Sequence, residues 1–394
     1  MKCKITSKPI YPFMSFGQMP IANGFIEEKN FSNEYFFNME VGFNEELSLF
    51  QLNDHPKPEK MFNKNYPFYT GSSEFMKDHF KKYAKFVSKY LSTNSKIIEN
   101  GSNDGTFLKN FQNQKEKIIG IEPSSSVADV AIRNKIPTIN EFFNTTTAKN
   151  LKDFIGNTDL ICASNVICHV PNLNNLIEAV DLLLSKNGTF VFEEPYLGAM
   201  FEKISYDQIY DEHIFMFSAS SVLKIFKRFN LCLVDAIPQI THGGSMRYVI
   251  KREKSRNSDN LDKVLNDENK KKINQVDSCL EFKKNCEISK NRIKEIIENY
   301  KKKGKSICGY AATSKSTTIL NYCDIGTEYI DYICDTTKEK IGKFSPGMHI
   351  PIKSMDYFNK NMRDCCYLFA WNHKQEIFKK EKNFKGEWFS HVEI

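Results

Sequence analysis

The segment IENGSNDGTFL, residues 98–108, sets Gly101 and Gly105 in a loop behind an apolar strand. In an open α/β sheet such a loop admits a ligand close to the backbone, and a following helix would present free N–H groups. Glu99 and Asp104 flank the loop and would repel a pyrophosphate. The acidic surroundings suit a ligand of cationic character, such as the ammonium and sulfonium of S-adenosylmethionine. Glu122 stands 21 residues beyond Gly101 at the end of the next strand, placed to accept both hydroxyls of a ribose. A second cluster lies in YDQIYDEH, residues 206–213. There Tyr210 and His213 are three apart and would share one face of a helix. Histidine is the usual base near neutral pH.

Four apolar runs are positioned to carry these residues: KIIEN (96–100), KIIGIEP (117–123), DLICASNVI (159–167) and GTFVFEEPY (188–196). Their alternation with helical segments predicts a parallel sheet with crossover helices, a Rossmann-like α/β fold. The spacing of Phe75, His79, Tyr83, Phe86 and Tyr90 predicts a long helix ahead of the first strand. Residues 1–70, broken by six prolines, read as a small irregular lobe containing strands. RYVIKR is a last strand, and residues 253–303 read as one or two charged connecting helices. KSICGYAAT then opens a second α/β pattern over 304–394. The expected units are thus 1–70, 71–252, 253–303 and 304–394.

Composition narrows the class. Of the 394 residues, 41% are hydrophobic and 26% charged, which excludes a disordered or fibrous chain. No apolar run approaches the roughly 20 residues of a membrane span, and the start lacks a signal-peptide core. The net charge of +7 suits a small anionic substrate, and no nucleic-acid-binding signature accompanies it. Eleven cysteines occur without one CxxC, so a reduced, cytoplasmic protein is expected.

Taken together, GSNDG, GIEPS, ASNVICHVPN, EEPYL, YDQIYDEH and THGGSMR, followed by GYAATSKSTTILNY, SPGMHIPI and AWNH, resemble one family in order and spacing. It is the S-adenosylmethionine-dependent C-methyltransferases that act on nucleotide-linked keto-deoxysugars. The resemblance implies a methyltransferase domain over 71–252 and a small N-terminal domain that in the family holds zinc through two CxxC pairs. Here Cys3 keeps the first position, while Thr6, Asn44 and Leu47 stand where the other thiolates belong. A closed structural zinc site needs four ligands, so no zinc is expected.

The resemblance also implies roles. His213 would take the proton from sugar carbon 3, Tyr210 and His169 would sit near the 4-keto oxygen, and Glu212 would orient them. The cofactor would meet Glu99, Gly101, Asn103, Asp104, Gly105, Glu122, Pro123, Ser164 and Asn165. The sugar nucleotide would meet Tyr69, Asn165, Tyr196, His242, Gly243, Arg247 and Lys315, with Arg247 and Lys315 offered to phosphate. Tyr66 and Ser72 are further candidates for closing over the site. Gly243 and Gly244 would permit a close approach. Methyl transfer to oxygen or nitrogen, or a binding protein of the same fold without turnover, remain open alternatives. A monomer or homodimer is expected, with neither nucleic acid nor membrane as partner.

Overall fold

The computed structural model describes residues 1–61, 69–112, 117–252 and 257–394; Tyr66 lies outside them. The N-terminal lobe contributes β1 (Tyr11–Pro20), β2 (Phe36–Asn44) and β3 (Leu49–Leu52), paired antiparallel in that order. All four residues of β3 are buried. Leu49 faces the core of the central domain, whereas Phe50 and Leu52 face a second core shared with the C-terminal part of the chain. A strand covered on both faces reads as a continuous apolar run.

The central sheet is built from β4 (Lys96–Asn100), β5 (Lys117–Ile121), β6 (Thr138–Ile139), β7 (Thr158–Ser164) and β8 (Leu184–Pro195), all parallel where they pair. The next strand, β9 (Phe215–Met216), leaves this sheet and pairs with β3 of the lobe. Then β10 (Cys232–Gln239) and β11 (Ser245–Lys251) return as an antiparallel edge, giving the order β10-β11-β8-β7-β4-β5-β6. The order reverses between β4 and β7, where an open α/β sheet forms its ligand crevice. After the glycine loop the chain makes only the short 3-10 turn Leu108–Phe111, not the helix expected there.

The helix ahead of β4 spans Glu74–Val87, with Ser73 capping its N-terminus. It buries His79, Phe80, Tyr83, Ala84 and Val87, so the buried stripe is rotated from the expected one; Tyr90 falls in a separate 3-10 turn. Two helices, Asp259–Lys270 and Val276–Lys302, form the connector. The C-terminal sheet is β12 (Ile307–Tyr310), β13 (Ile333–Asp335), β14 (Ile352–Ser354), β15 (Cys365–Leu368) and β16 (Glu387–Phe389). It is parallel throughout, in the order β14-β13-β12-β15-β16. Among the described residues no helix is long and apolar enough to cross a membrane.

Candidate active site

A cavity of about 630 Å³ lies where lobe, central domain and C-terminal domain meet. On the central side it begins at Gly101. That residue leaves β4 with φ 68°, and a Cβ there would sit 2.2 Å from Val166 in the loop behind β7. Glycine is required by this close packing as much as by the dihedral. Asn103 follows in the left-handed region, and its N–H donates to Glu122 Oε2 at 3.0 Å. The N–H of Ser124 donates to the other oxygen, Oε1, at 2.8 Å. A carboxylate has about four lone-pair positions, so Glu122 keeps acceptor capacity toward the cavity that it lines. Burial pushes its carboxyl up, and the two backbone donors oppose that shift.

Three more polar atoms face this crevice unpaired. Glu99 Oε2, Ser164 Oγ and Asn165 Oδ1 are buried without hydrogen-bond partners among the described residues, and all three residues line the cavity. Burial, reinforced by Asp104 and Glu122, holds the Glu99 carboxyl well above the usual carboxylate range. A cationic ligand bearing a ribose answers both needs: it compensates the acids and supplies donors to the orphaned oxygens. Gly101, Asn103 and Pro123 complete this wall. The chain therefore fits S-adenosylmethionine.

Opposite stands the histidine cluster. The segment carrying it is a 3-10 turn, Tyr206–Gln208, followed by a tight turn, rather than the expected helix. The turn still brings the pair together: His213 N–H donates to Tyr210 O at 2.9 Å, and Tyr210 Oη lies 2.7 Å from His213 Nε2. His213 Nδ1 lies 2.7 Å from the carbonyl oxygen of Gln208, so Nδ1 carries the hydrogen and Nε2 is the acceptor. Burial keeps His213 well below its ordinary pKa and His169 down at about 3. Both rings are neutral near pH 7, and they stack with centroids 5.3 Å apart. Glu212 Oε1 accepts from Asn23 of the lobe at 2.6 Å, and neighbouring Asp211 accepts the Ala22 N–H at 2.9 Å. Burial raises both carboxyls, and their mutual repulsion adds to the shift of Asp211.

The expected substrate residues divide. Tyr69, Ser72, His242 and Lys315 line the cavity, as do Asn165 and the four members of the histidine cluster. Arg247, expected at a phosphate, does not line the cavity. It lies buried in β11, bonded to Glu193 through Nε at 2.6 Å and stacked over Tyr83 and Phe86. Glu193 also takes His79 Nε2 at 2.5 Å, so a buried ionic hub occupies both groups. Tyr196 likewise turns away, its hydroxyl donating to Glu268 at 3.0 Å. Gly243 packs on the C-terminal domain: a Cβ there would lie 2.1 Å from Trp371. Asp104 and Gly105 support the crevice from behind. Asp104 accepts the Gly71 N–H at 2.7 Å, and a Cβ on Gly105 would meet Ile136.

Sequence reasoning missed several wall residues, notably Asn23, Phe142, Thr337 and Lys340. Thr337 and Lys340 follow β13, where the acidic strand end at Asp335 was a usable signal. Nothing in its local sequence marks Asn23.

In the lobe, the expected zinc position is filled otherwise. Asn44 Oδ1 accepts the Leu47 N–H at 2.8 Å, and Cys3 packs with Ile5, Leu47 and Leu49 in an apolar cluster. One thiol and three non-ligands do not fit a structural zinc site. Among the described residues one group, Cys168, His169 and His213, sets three possible metal-binding atoms within 4.8 Å of each other. Both His213 nitrogens are already engaged there.

Residues 3–62 match a family described as a zinc binding domain, 73–236 one described as a methyltransferase domain, and 240–392 the C-methyltransferase C-terminal domain. The C-methyltransferase NovU of Streptomyces niveus is 27% identical over 376 residues, covering 94% of this chain and 89% of that protein. Among solved structures, an S-adenosylmethionine-dependent methyltransferase from Anabaena variabilis is 17% identical, covers 44% of this chain and 84% of its own, and gives a TM-score of 0.37. The plantazolicin methyltransferase BpumL is 16% identical over 46% of this chain and 86% of its own, with a TM-score of 0.36. With a C-methyltransferase aligned along nearly its whole length and a crevice suited to the sulfonium donor, the chain is an S-adenosylmethionine-dependent methyltransferase, similar throughout to a C-methyltransferase.

Proposed function

We propose that the methyl acceptor is a carbon beside the ketone of a nucleotide-linked 4-keto-6-deoxysugar, carbon 3 in the favoured reading. The single observation behind this is the neutral His213, its Nδ1 hydrogen held by Gln208 and its Nε2 accepting from Tyr210 Oη, in the cavity that also holds the donor crevice. The sulfonium supplies an electrophilic methyl when the cofactor is bound. A carbon nucleophile must be made by removing a proton next to the ketone while the enolate oxygen is stabilised. His213 Nε2 takes that proton. Tyr210, released from Nε2, and His169 offer hydrogen bonds at the ketone oxygen. The imidazolium formed in this buried site is offset by the enolate beside it. Glu212, tied to Asn23, holds the turn in place. The enolate carbon, its oxygen held by Tyr210 and His169, is the nucleophile for that methyl, and His213 gives its proton to solvent to restore the neutral ring.

The test is solvent exchange without methyl transfer. With S-adenosylhomocysteine bound, the enzyme should exchange the hydrogen beside the ketone for deuterium. His213→Ala should abolish that exchange and lower turnover by about 10²–10⁴-fold, the range for a positioned base. Exchange surviving in this variant would remove His213 as the base. A product methylated on oxygen would overturn the carbon reading.

A further inference from the structure

Glu193 and Glu194 are adjacent on β8, and successive strand residues face opposite sides of a sheet. Glu193 points into the ionic hub with Arg247 and His79. Glu194 is fully buried and does not line the cavity. Neither the cofactor contacts nor the proton transfer uses it.

Its side chain is turned onto the loop that follows β7. Oε1 accepts the N–H of Val166 at 3.0 Å and that of Ile167 at 2.6 Å. The preceding N–H, on Asn165, donates to the carbonyl oxygen of Glu193 at 2.8 Å. Three consecutive N–H groups are thus held by two neighbouring residues of β8, the first by main chain and the next two by one side-chain oxygen. A buried N–H left without an acceptor is strongly unfavourable. The Glu194 carboxyl therefore sets the shape of the loop.

That loop joins the two halves of the site. At its start Ser164 and Asn165 line the donor crevice, and Val166 packs against the backbone of Gly101. At its end His169 closes the short 3-10 turn Ile167–His169, its N–H donating to Val166 O at 3.0 Å and its ring stacked on His213. The path from donor wall to His169 runs through the two peptide groups that Glu194 holds. Asn165 has a left-handed φ of 55° and Val166 a φ of −132° with ψ −41°, so no regular element keeps this path in shape. Burial pushes the Glu194 carboxyl up to about 7, opposed by bonds from the Cys168 thiol and the loop N–H groups. Protonated or ionised, the carboxyl keeps an acceptor oxygen, so it can hold the loop by reach in either form.

We propose that Glu194 is a positioning residue: through one carboxyl oxygen it fixes the 166–169 turn, and with it the distance between the bound donor and the ketone-side His169. The assignment rests on the preceding section for the role of His169. Alignment of the reacting groups supplies much of the rate in a two-substrate transfer, and a displacement of about 1 Å can cost on the order of 10²-fold. The effect belongs to turnover rather than to binding, because Asn165 keeps its own bond to Glu193 O and the donor wall stays in place.

Three replacements in the full chain separate reach from charge. Turnover is read with S-adenosylmethionine and 4-keto-6-deoxyhexoses linked to uridine, thymidine and guanosine diphosphates. Glu194→Gln keeps an oxygen at the same distance, and that one oxygen can accept both N–H groups, so kcat should stay within about threefold of wild type. Glu194→Asp keeps the charge but withdraws the oxygen by one methylene, and Glu194→Met removes the acceptor at nearly equal length. Each of these two should lower kcat about 10- to 100-fold, with KM for both substrates and calorimetric affinity for S-adenosylhomocysteine within about threefold. On a His169→Ala background either should cost less than about threefold more, because the group it positions is gone. If the methionine variant does not fold, the aspartate variant carries the comparison. Undiminished kcat in Glu194→Asp, a loss carried by KM or by cofactor affinity, a glutamine variant as impaired as the aspartate one, or the full penalty persisting without His169 would each overturn the assignment. C-methylation at wild-type kcat in Glu194→Asp would overturn this role alone. The split as described, with an O-methylated product, would overturn the carbon reading and leave the role of Glu194.

Discussion

Replacing Glu122 by glutamine tests the donor crevice most directly. Its two carboxylate oxygens accept backbone N–H groups at 2.8 and 3.0 Å, and each retains one further acceptor position. Glutamine offers a single oxygen. If that oxygen keeps Ser124, the amide NH₂ is turned on the N–H of Asn103, and one ribose hydroxyl loses its acceptor. A hydrogen bond to a charged group contributes about 1.5–3 kcal/mol, so affinity for S-adenosylhomocysteine should fall about 10- to 150-fold. The facing donors at Asn103 should cost a further 1–3 kcal/mol or so of folding stability, visible as a lower thermal midpoint. Two losses from one substitution need separating. The wild type titrated with the 2′-deoxy cofactor analogue should show the affinity loss without the stability loss. Affinity within threefold of wild type in both titrations would refute the role of Glu122. A stability change with unaltered affinity would make it a structural clamp.

Burial holds the Glu99 carboxyl well above the usual carboxylate range, and a cationic ligand favours its ionised form. S-adenosylmethionine binding should therefore be coupled to proton release and tighten with rising pH. Calorimetry in buffers of different ionisation enthalpy reads this, and binding without proton release would refute it. Arg247→Met leaves Glu193 with His79 alone and should cost about 3–5 kcal/mol, as for a broken buried pair, measured by denaturant unfolding. A loss under 1 kcal/mol would refute the hub. Asn44→Ala removes the acceptor of the Leu47 N–H and should cost about 1 kcal/mol. The wild type should carry well under one zinc per chain by metal analysis and be unaffected by chelator.

The strands of the central sheet were legible because burial on both faces makes them apolar runs, and Ile97, Ile98, Leu160 and Ile161 are fully enclosed. The donor crevice was legible because its device is local: a glycine turn and an acid one strand later. Arg247 was misread for the opposite reason. Behind two glycines it looks like a phosphate ligand, but its partner Glu193 lies 54 residues away on the adjoining strand, and its aromatic cover comes from another helix. Strand β9 has two residues, too few to show any alternation.

That short strand ties the lobe to the candidate site, although Thr6, Asn44 and Leu47 stand where zinc thiolates would belong. β9 begins two residues after His213 and pairs with β3, so the lobe fixes one end of the turn that carries the proposed base. Ala22 and Asn23 of the lobe hold Asp211 and Glu212 within it. From the C-terminal domain, Thr317 donates to Ala22 O at 2.8 Å and Thr318 to Ile209 O at 2.9 Å, closing the ring of contacts. The turn is short and irregular, and its acids are buried, so it would not hold this shape alone. Its position is set by three units at once, which leaves the lobe's task to β3 and the 22–23 segment. Asn44 and the apolar packing around Cys3 need only keep β3 in place, and that can be done without a metal.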